Sequence, residues 1–189
     1  MEIDLNKTLR ALVRCWPEDG EPSVEALTRM YRQTLRLRSQ LLGVIYDLEA
    51  YSAPQTGRKE LAEAMSSGTQ EDGCVILTFE ESLPSMKEYS AALDEHWRAM
   101  IHAAIQEAAA QEQLPRFERA FVQIEVTTPR GSNNHQLWDT CNRAVNLVIN
   151  NLKGIFFWDD DLEHMAFSVV GAWGETGRTV VRISRFLQT

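Results

Sequence analysis

The sequence lacks a long uninterrupted apolar run. The longest apolar-rich stretch, Ala144 to Trp158, is broken by asparagines, a lysine and a glycine, whereas a membrane-spanning helix needs about 20 apolar residues in succession. The first ten residues carry acids where a secretory signal carries bases, and no apolar segment follows them. We therefore expect no membrane span and no secretory leader.

Cysteine and positive charge are also scarce. The three cysteines, Cys15, Cys74 and Cys141, are widely spaced and form no Cys-x-x-Cys pair, so we expect reduced thiols and a cytoplasmic location. The formal net charge is −8, which argues against a protein that coats nucleic acid by bulk electrostatics. A chain of 189 residues with 44% apolar residues is large enough for one ordinary domain or a small domain with an appendage.

Residues 1–72 have helical periodicity. Apolar residues at steps of three, four and seven predict one long helix over about 22–51, between short helices near 4–13 and 58–66. Two polar residues in its apolar seam, Thr34 and Arg38, favour packing on its own domain over pairing with a second copy. Its arginines are interpreted as a solvated face, with a nucleic-acid stripe as the alternative; they are Arg29, Arg32, Arg36 and Arg38.

The segment Ser66–Gly73 is small, polar and acidic. This composition is typical of a linker. We therefore divide the chain into a helical extension with its linker, 1–72, and a second domain, 73–189.

Helical and strand periodicities alternate after residue 73. Asp139 is predicted to cap the second helix, and the last two strands are expected to form a hairpin around Gly174–Gly177. The order β-α-β-α-β-β favours an α+β domain with one small mixed sheet and packed helices, preceded by the α-helical extension. The predicted strands are 74–79, 121–126, 165–170 and 179–183, and the predicted helices are 87–113 and 140–152.

Acidic residues occur at both ends of the second helix. Asp139 opens it, and Asp159, Asp160 and Asp161 follow after it has ended at Gly154. If the chain returns along the helix, carboxylates from both places converge as Mg²⁺ requires. The alternative is a helix cap and a solvated acidic turn.

The spacing of these acids resembles that of the RusA-type Holliday-junction resolvases. That family has an acid-x-acid-Asn motif opening a helix, then an apolar helix with a lysine, an aromatic patch and a double aspartate. Asp139-Thr140-Cys141-Asn142 matches the first motif, and Gly154-Ile155-Phe156-Phe157-Trp158-Asp159-Asp160 matches the second at the family's separation. The resemblance covers about residues 73–188, and residues 1–72 have no counterpart in it.

The resemblance implies a homodimeric, Mg²⁺-dependent endonuclease that acts on branched DNA. By its motifs, Asp139 and Asp160 are the catalytic residues, and Asp139, Asp159 and Asp160 are the metal ligands. The residues assigned to DNA binding are Arg130, Asn142, Arg143 and Lys153.

The chain departs from the family at two motif positions. Cys141 stands where the family has its second acid, and Val145 where it has the helix lysine. Mg²⁺ has little affinity for sulfur, and residues 73–189 carry 10 basic and 15 acidic residues. We therefore expect an eroded metal site, with DNA binding and little or no cleavage. The alternatives are an active endonuclease that uses Asp161 or Glu163 as replacement acid, and a protein-interaction module.

Tryptophan and histidine positions allow further hypotheses. Trp138, Trp158 and Trp173 are expected to be buried, with base stacking as the alternative. His164 is a candidate second-shell residue of the metal site. His135 and Cys141 suggest a base and a nucleophile, but a loop histidine and a helix thiol are the favoured interpretation.

Overall fold

The computed structural model describes residues 5–16, 23–51, 56–84, 90–129 and 135–187, without the side chains of 5–6, 39, 43, 45–51, 56–58 and 135–142. Helices and strands fall close to the predicted positions in these ranges. They are α1 (Leu5–Val13), α2 (Val24–Tyr51), α3 (Thr56–Met65), β1 (Ser66–Glu71), β2 (Cys74–Phe79), α4 (Ala91–Gln111), β3 (Ala120–Pro129), α5 (His135–Leu152), β4 (Met165–Gly174) and β5 (Arg178–Arg185).

The strands form one mixed sheet in the order β1-β2-β5-β3-β4. β3 and β4 are parallel, while the other neighbours are antiparallel. The predicted α+β class with a mixed sheet is confirmed. The predicted division at residues 72 and 73 stays a prediction.

The expected hairpin of the last two strands is wrong. β4 lies beside β3 at the sheet edge, because α5 carries the chain back to start β4 parallel to β3. β5 instead lies between β2 and β3 and pairs with both. Its apolar residues Val181 and Ile183 are fully buried there, as expected of a central strand.

The expected linker is also wrong, because Ser66–Glu71 forms strand β1. Gly68 lies so close to α4 that a Cβ atom would be 1.9 Å from the carbonyl oxygen of Ala104. Its amide donates to Glu107 Oε2 at 2.9 Å, and its carbonyl accepts from Gln111 Nε2 at 3.0 Å. The small residues of this segment therefore allow β1 to pack closely against α4.

The core lies between the sheet and helices α4 and α5. Strands β2 and β3 alternate buried and partly buried residues, so one face of each strand meets the helices. Ser90 caps α4 by accepting from the amide of Leu93 at 3.2 Å. Trp97 of α4 packs against Phe79 with ring centroids 5.3 Å apart.

Helix α2 packs against other helices of its own chain, and the prediction that it does not pair with a second copy stays a prediction. It contacts α1, α3 and α4, and Thr8 of α1 donates to Gln40 Oε1 at 2.7 Å. Arg38 is not on a solvated face, since its guanidinium pairs with the carboxylate of Glu81. No helix in the described ranges is both long enough and apolar enough to cross a bilayer.

Candidate functional site

The acidic turn begins where α5 ends. The amide of Lys153 still donates to the carbonyl of Ile149 at 3.0 Å, and the next residue, Gly154, has φ +79°. This left-handed conformation suits glycine and ends the helix. The amide of Gly154 donates to the carbonyl of Phe157 at 2.8 Å, which folds the chain into a tight return.

Two phenylalanines anchor this return. Phe156 and Phe157 are fully buried, and the carbonyl of Phe156 accepts from the amide of Phe117 at 2.8 Å. Their burial holds the turn against the core, and the residues that follow are left at the surface.

Lys153 connects the end of α5 to two acids of the turn. Its Nζ lies 2.8 Å from Asp160 Oδ1 and also pairs with Asp159 Oδ1. The amide of Asp160 donates to Asp159 Oδ1 at 2.8 Å. The two carboxylates thus share one ammonium group at a partly exposed site.

This arrangement changes the pKa values of Lys153 and Asp159. The hydrogen bond from Lys153 and then the amide of Asp160 lower the pKa of Asp159 to about 2. Hydrogen bonds to Asp159 and Asp160 raise the pKa of Lys153 above its ordinary value. The charged forms of Lys153 and Asp159 are therefore stabilised at neutral pH.

Asp161 binds a different partner. Its Oδ1 lies 2.7 Å from His164 Nδ1 and accepts from the amides of Glu163 and His164 at 2.9 and 3.0 Å. The histidine bond, followed by these amides, lowers the pKa of Asp161. Asp161 caps the turn that leads into β4. His164 bonds to Asp161 and not to the group formed by Lys153, Asp159 and Asp160.

Asp139 lies far from this turn. It is the fifth residue of α5, so the prediction that it caps the helix is wrong. Lys153 follows the last residue of the same helix, and a rise of about 1.5 Å per residue separates the two Cα atoms by about 21 Å. The side chains of Asp139, Lys153 and Asp160 are together too short to bridge this distance between the Cα atoms. The predicted pocket shared by Asp139 and the acidic turn within one chain is therefore not formed.

The two neighbouring acids Asp159 and Asp160 are of the kind that binds magnesium, because Mg²⁺ is usually held by one or two carboxylates together with waters and phosphate oxygens. No group of three or more His, Cys, Asp or Glu residues in the described ranges is placed to hold an ion. Asp159 and Asp160 already share the ammonium of Lys153. Their negative charge is thus compensated by a cation of the chain itself.

The residues assigned to DNA binding fall in separate places. Arg130 lies outside the described residues, as does the side chain of Asn142. Arg143 is exposed on α5. Lys153 is engaged by two carboxylates, so a phosphate would compete with Asp159 and Asp160 for it.

An exposed tryptophan lies beside the acidic turn, and its arginine neighbour Arg116 was missed in the sequence analysis. Trp158 is 67% exposed, and the guanidinium carbon of Arg116 lies 5.1 Å from its ring centroid. Trp173 is also exposed, at 51%, so the expectation of burial is wrong for both. The side chain of Trp138 lies outside the described part. The signal in the sequence was the position of Trp158 next to three aspartates, which disfavours burial.

Comparison with known proteins finds no matching family model and no significant match to a curated protein.

Proposed function

We propose that this chain is a cytoplasmic, homodimeric protein of the RusA-like nuclease fold that binds branched DNA with little or no cleavage. Its role would be to assist recombination of a mobile element. The order of elements after residue 73, β-α-β-α-β-β around a mixed sheet, supports the kinship that the two motifs imply.

The observation that carries the loss of cleavage is the position of Lys153. Its ammonium bonds to Asp160 and pairs with Asp159, the two residues that match the double aspartate of the family. A divalent cation would have to displace it. Cys141 replaces a further oxygen ligand, and metal-held charge is what stabilises an in-line phosphoryl displacement.

Trp158 and Arg116 supply a surface for bases whose stacking is interrupted. An exposed tryptophan can stack on a base, and an arginine beside it can meet a phosphate. Branched DNA presents unstacked bases at its crossover, so this pair fits a branch point better than a continuous duplex.

The test is a gel shift and a cleavage assay with four-way junctions at low salt, with and without Mg²⁺ or Mn²⁺. We expect a shift of the junction that Trp158→Ala weakens about tenfold and that Leu162→Ala, an exposed apolar control on the same turn, leaves unchanged. Robust cutting by the wild type that Asp160→Asn abolishes would contradict the proposal and establish the active endonuclease.

A protein-interaction module is the second candidate function. Val24, Leu27 and Leu41 of α2 are exposed by 75%, 47% and 43%, so the helical extension presents apolar surface to a protein partner. Absence of any affinity for junction, single-stranded or duplex DNA in the same gel shift would favour this function over the first.

A further inference from the structure

Positive charge is concentrated in the first two helices. α1 and the residue that follows it carry Lys7, Arg10 and Arg14 and no acid. The first 22 residues of α2, 24–45, carry four arginines and one acid, Glu25. The rest of the chain has 12 basic and 26 acidic residues. The negative net charge of the chain therefore does not extend to this part of the molecule.

Three of these arginines form a stripe on α2. Arg29, Arg32 and Arg36 follow one another at steps of three and four residues, which places them on one face of the helix, and all three are exposed. Arg38 is turned toward the sheet by its ion pair with Glu81. Within the described ranges, Arg32 and Arg36 enter no ion pair. The arginine stripe is about 10 Å long, since a helix rises about 1.5 Å per residue.

The arginine stripe faces away from the exposed apolar residues of α2. Leu27 and Tyr31 are exposed, and at about 100° per residue they lie on the opposite side of the helix. Anionic membranes and acidic amphipathic helices bind through apolar side chains that are flanked by bases. Such a partner would meet either the arginines or the apolar residues of α2, but not both. The stripe therefore fits a ligand that is charged along its whole contact surface.

α1 adds positive charge beside the arginine stripe. Thr8 of α1 donates to Gln40, which lies one turn beyond Arg36 on the same face of α2, so α1 packs next to the stripe. Arg10 and Arg14 are one turn apart on α1, and both are exposed. Neither forms an ion pair within the described part of the chain. The two helices together present five exposed arginines.

We infer that the arginine stripe, with Arg10 and Arg14 beside it, binds the sugar-phosphate backbone of double-stranded DNA without reading its sequence. A duplex carries one negative charge per about 1.7 Å of its axis, so roughly six phosphates lie along the length of the stripe. Guanidinium groups are common phosphate contacts. Single strands are held by stacking on aromatic side chains, and Tyr31 lies on the opposite side of α2. A duplex is therefore favoured over a single strand.

The inference rests on the proposed function and adds the arms of the junction to it. Trp158 offers a contact for the branch point, whereas the arginine stripe contacts a continuous arm. The stripe lies in the helical extension, which has no counterpart in the RusA-type resemblance, so the resemblance does not imply this contact. The acids elsewhere in the chain do not cancel it, because physiological salt screens exposed charges beyond about 8 Å.

The test is the affinity of the full chain for a duplex and for a four-way junction, measured by fluorescence anisotropy at about 50–200 mM salt. The variant is the double substitution Arg32→Gln and Arg36→Gln, because Glu25 lies one turn before Arg29 and reduces its contribution. We expect at least about a tenfold loss of affinity for both DNAs and a slope of log K against log salt that is smaller by about 2.

The matched control is the double substitution Arg178→Gln and Arg185→Gln. These arginines are exposed on β5, and their replacement changes the net charge by the same amount. The control should keep the wild-type affinities and salt slope. Circular dichroism confirms that both double variants fold, since glutamine and arginine have similar helix propensities.

The outcomes separate this inference from the proposed function. Junction binding that Trp158→Ala weakens, with equal salt slopes for the wild type and the Arg32 and Arg36 variant, would overturn the inference alone. Duplex binding that depends on the arginine stripe, with no preference for the junction, would overturn the proposed function alone. Absence of binding to any DNA would overturn both. Stripe-dependent binding of polyglutamate or of vesicles with anionic lipid, at least as tight as that of the duplex, would overturn the choice of DNA.

Discussion

Arg38 and Glu81 form an ion pair between the helical extension and the sheet. Arg38 lies on α2, and Glu81 follows β2; their side chains are 28% and 14% exposed. Oε1 of Glu81 also lies 3.4 Å from Nε2 of the buried His96 on α4. Through Glu81, these contacts join the helical extension to the end of β2 and to α4 at a place where water is largely excluded.

Arg38→Met should therefore destabilise the protein. The substitution keeps much of the aliphatic packing but removes the guanidinium that pairs with the carboxylate of Glu81. We expect the loss of this pairing to lower the free energy of unfolding by about 2 kcal/mol. Urea denaturation measures the change. Arg36→Met, at an exposed position of the same helix, is the control and should change little. Equal effects of the two substitutions would show that the ion pair contributes nothing.

Stability should fall on acidification because of His96. Burial, and then the positive charge of Arg38, lower the pKa of His96 from 6.5 to about 4. Between these values the unfolded chain binds more protons than the folded one, so stability is complete above pH 6.5 and is lost as the pH falls toward 4. The loss should reach about 3 kcal/mol.

Urea denaturation at pH 7.0, 5.5 and 4.5 measures this loss. The variant His96→Leu should show a shallower pH dependence, whereas His102→Leu, at an exposed position of the same helix, should keep the wild-type dependence. An unchanged pH dependence in His96→Leu would contradict the assignment.

Gly68→Ala should be strongly destabilising. The added Cβ would lie 1.9 Å from the carbonyl oxygen of Ala104, and a main-chain atom within a helix cannot move aside independently. We expect a loss of about 2–3 kcal/mol, measured by thermal or urea unfolding. Ser67→Ala, the exposed neighbour on the same strand, should be nearly neutral. A fully stable Gly68→Ala protein would mean that β1 does not pack on α4 in this way.

Removal of the Lys153 ammonium should return Asp159 to ordinary acidity. The hydrogen bond from Lys153 is the largest cause of its low pKa of about 2. In Lys153→Met that pKa should rise toward about 4, as followed by NMR titration of the carboxyl carbon. Arg116→Met removes a nearby cation that stacks on Trp158 instead, so it should leave the titration of Asp159 unchanged. A low pKa that persists in Lys153→Met would assign the effect to the amide of Asp160.

Local patterns predicted most of the elements but not their neighbours. The apolar residues of β2 and the alternation in β3 predicted both strands, because the side chains of a strand point to opposite faces. The polar sequence Ser66–Glu71 carries no such pattern, so β1 was missed. Its place depends on α4, 39 residues away at Glu107, which bonds to Gly68.

The candidate site was predicted in composition and not in geometry. The sequence analysis singled out the run Asp159–Asp161 as a candidate site, and this stays a prediction; the side chains that Asp159–Asp161 bond to were not predicted. Lys153 was expected to contact DNA, and its ammonium instead bonds to Asp159 and Asp160. Asp139 was expected to share a pocket with the acidic turn. The helix that runs between them is continuous, and it separates the Cα atoms of Asp139 and Lys153 by about 21 Å.

The amino-acid sequence by itself determined the helices, four of the five strands and the α+β class, since these follow from short-range periodicity and from glycine and proline positions. Only the tertiary structure decided that β5 enters the middle of the sheet and that β4 is left at its edge, because strand pairing joins residues far apart in the chain. The same holds for the cation shared by Asp159 and Asp160. Which charges meet in the turn depends on where Gly154 and the buried Phe156 and Phe157 direct the backbone after α5.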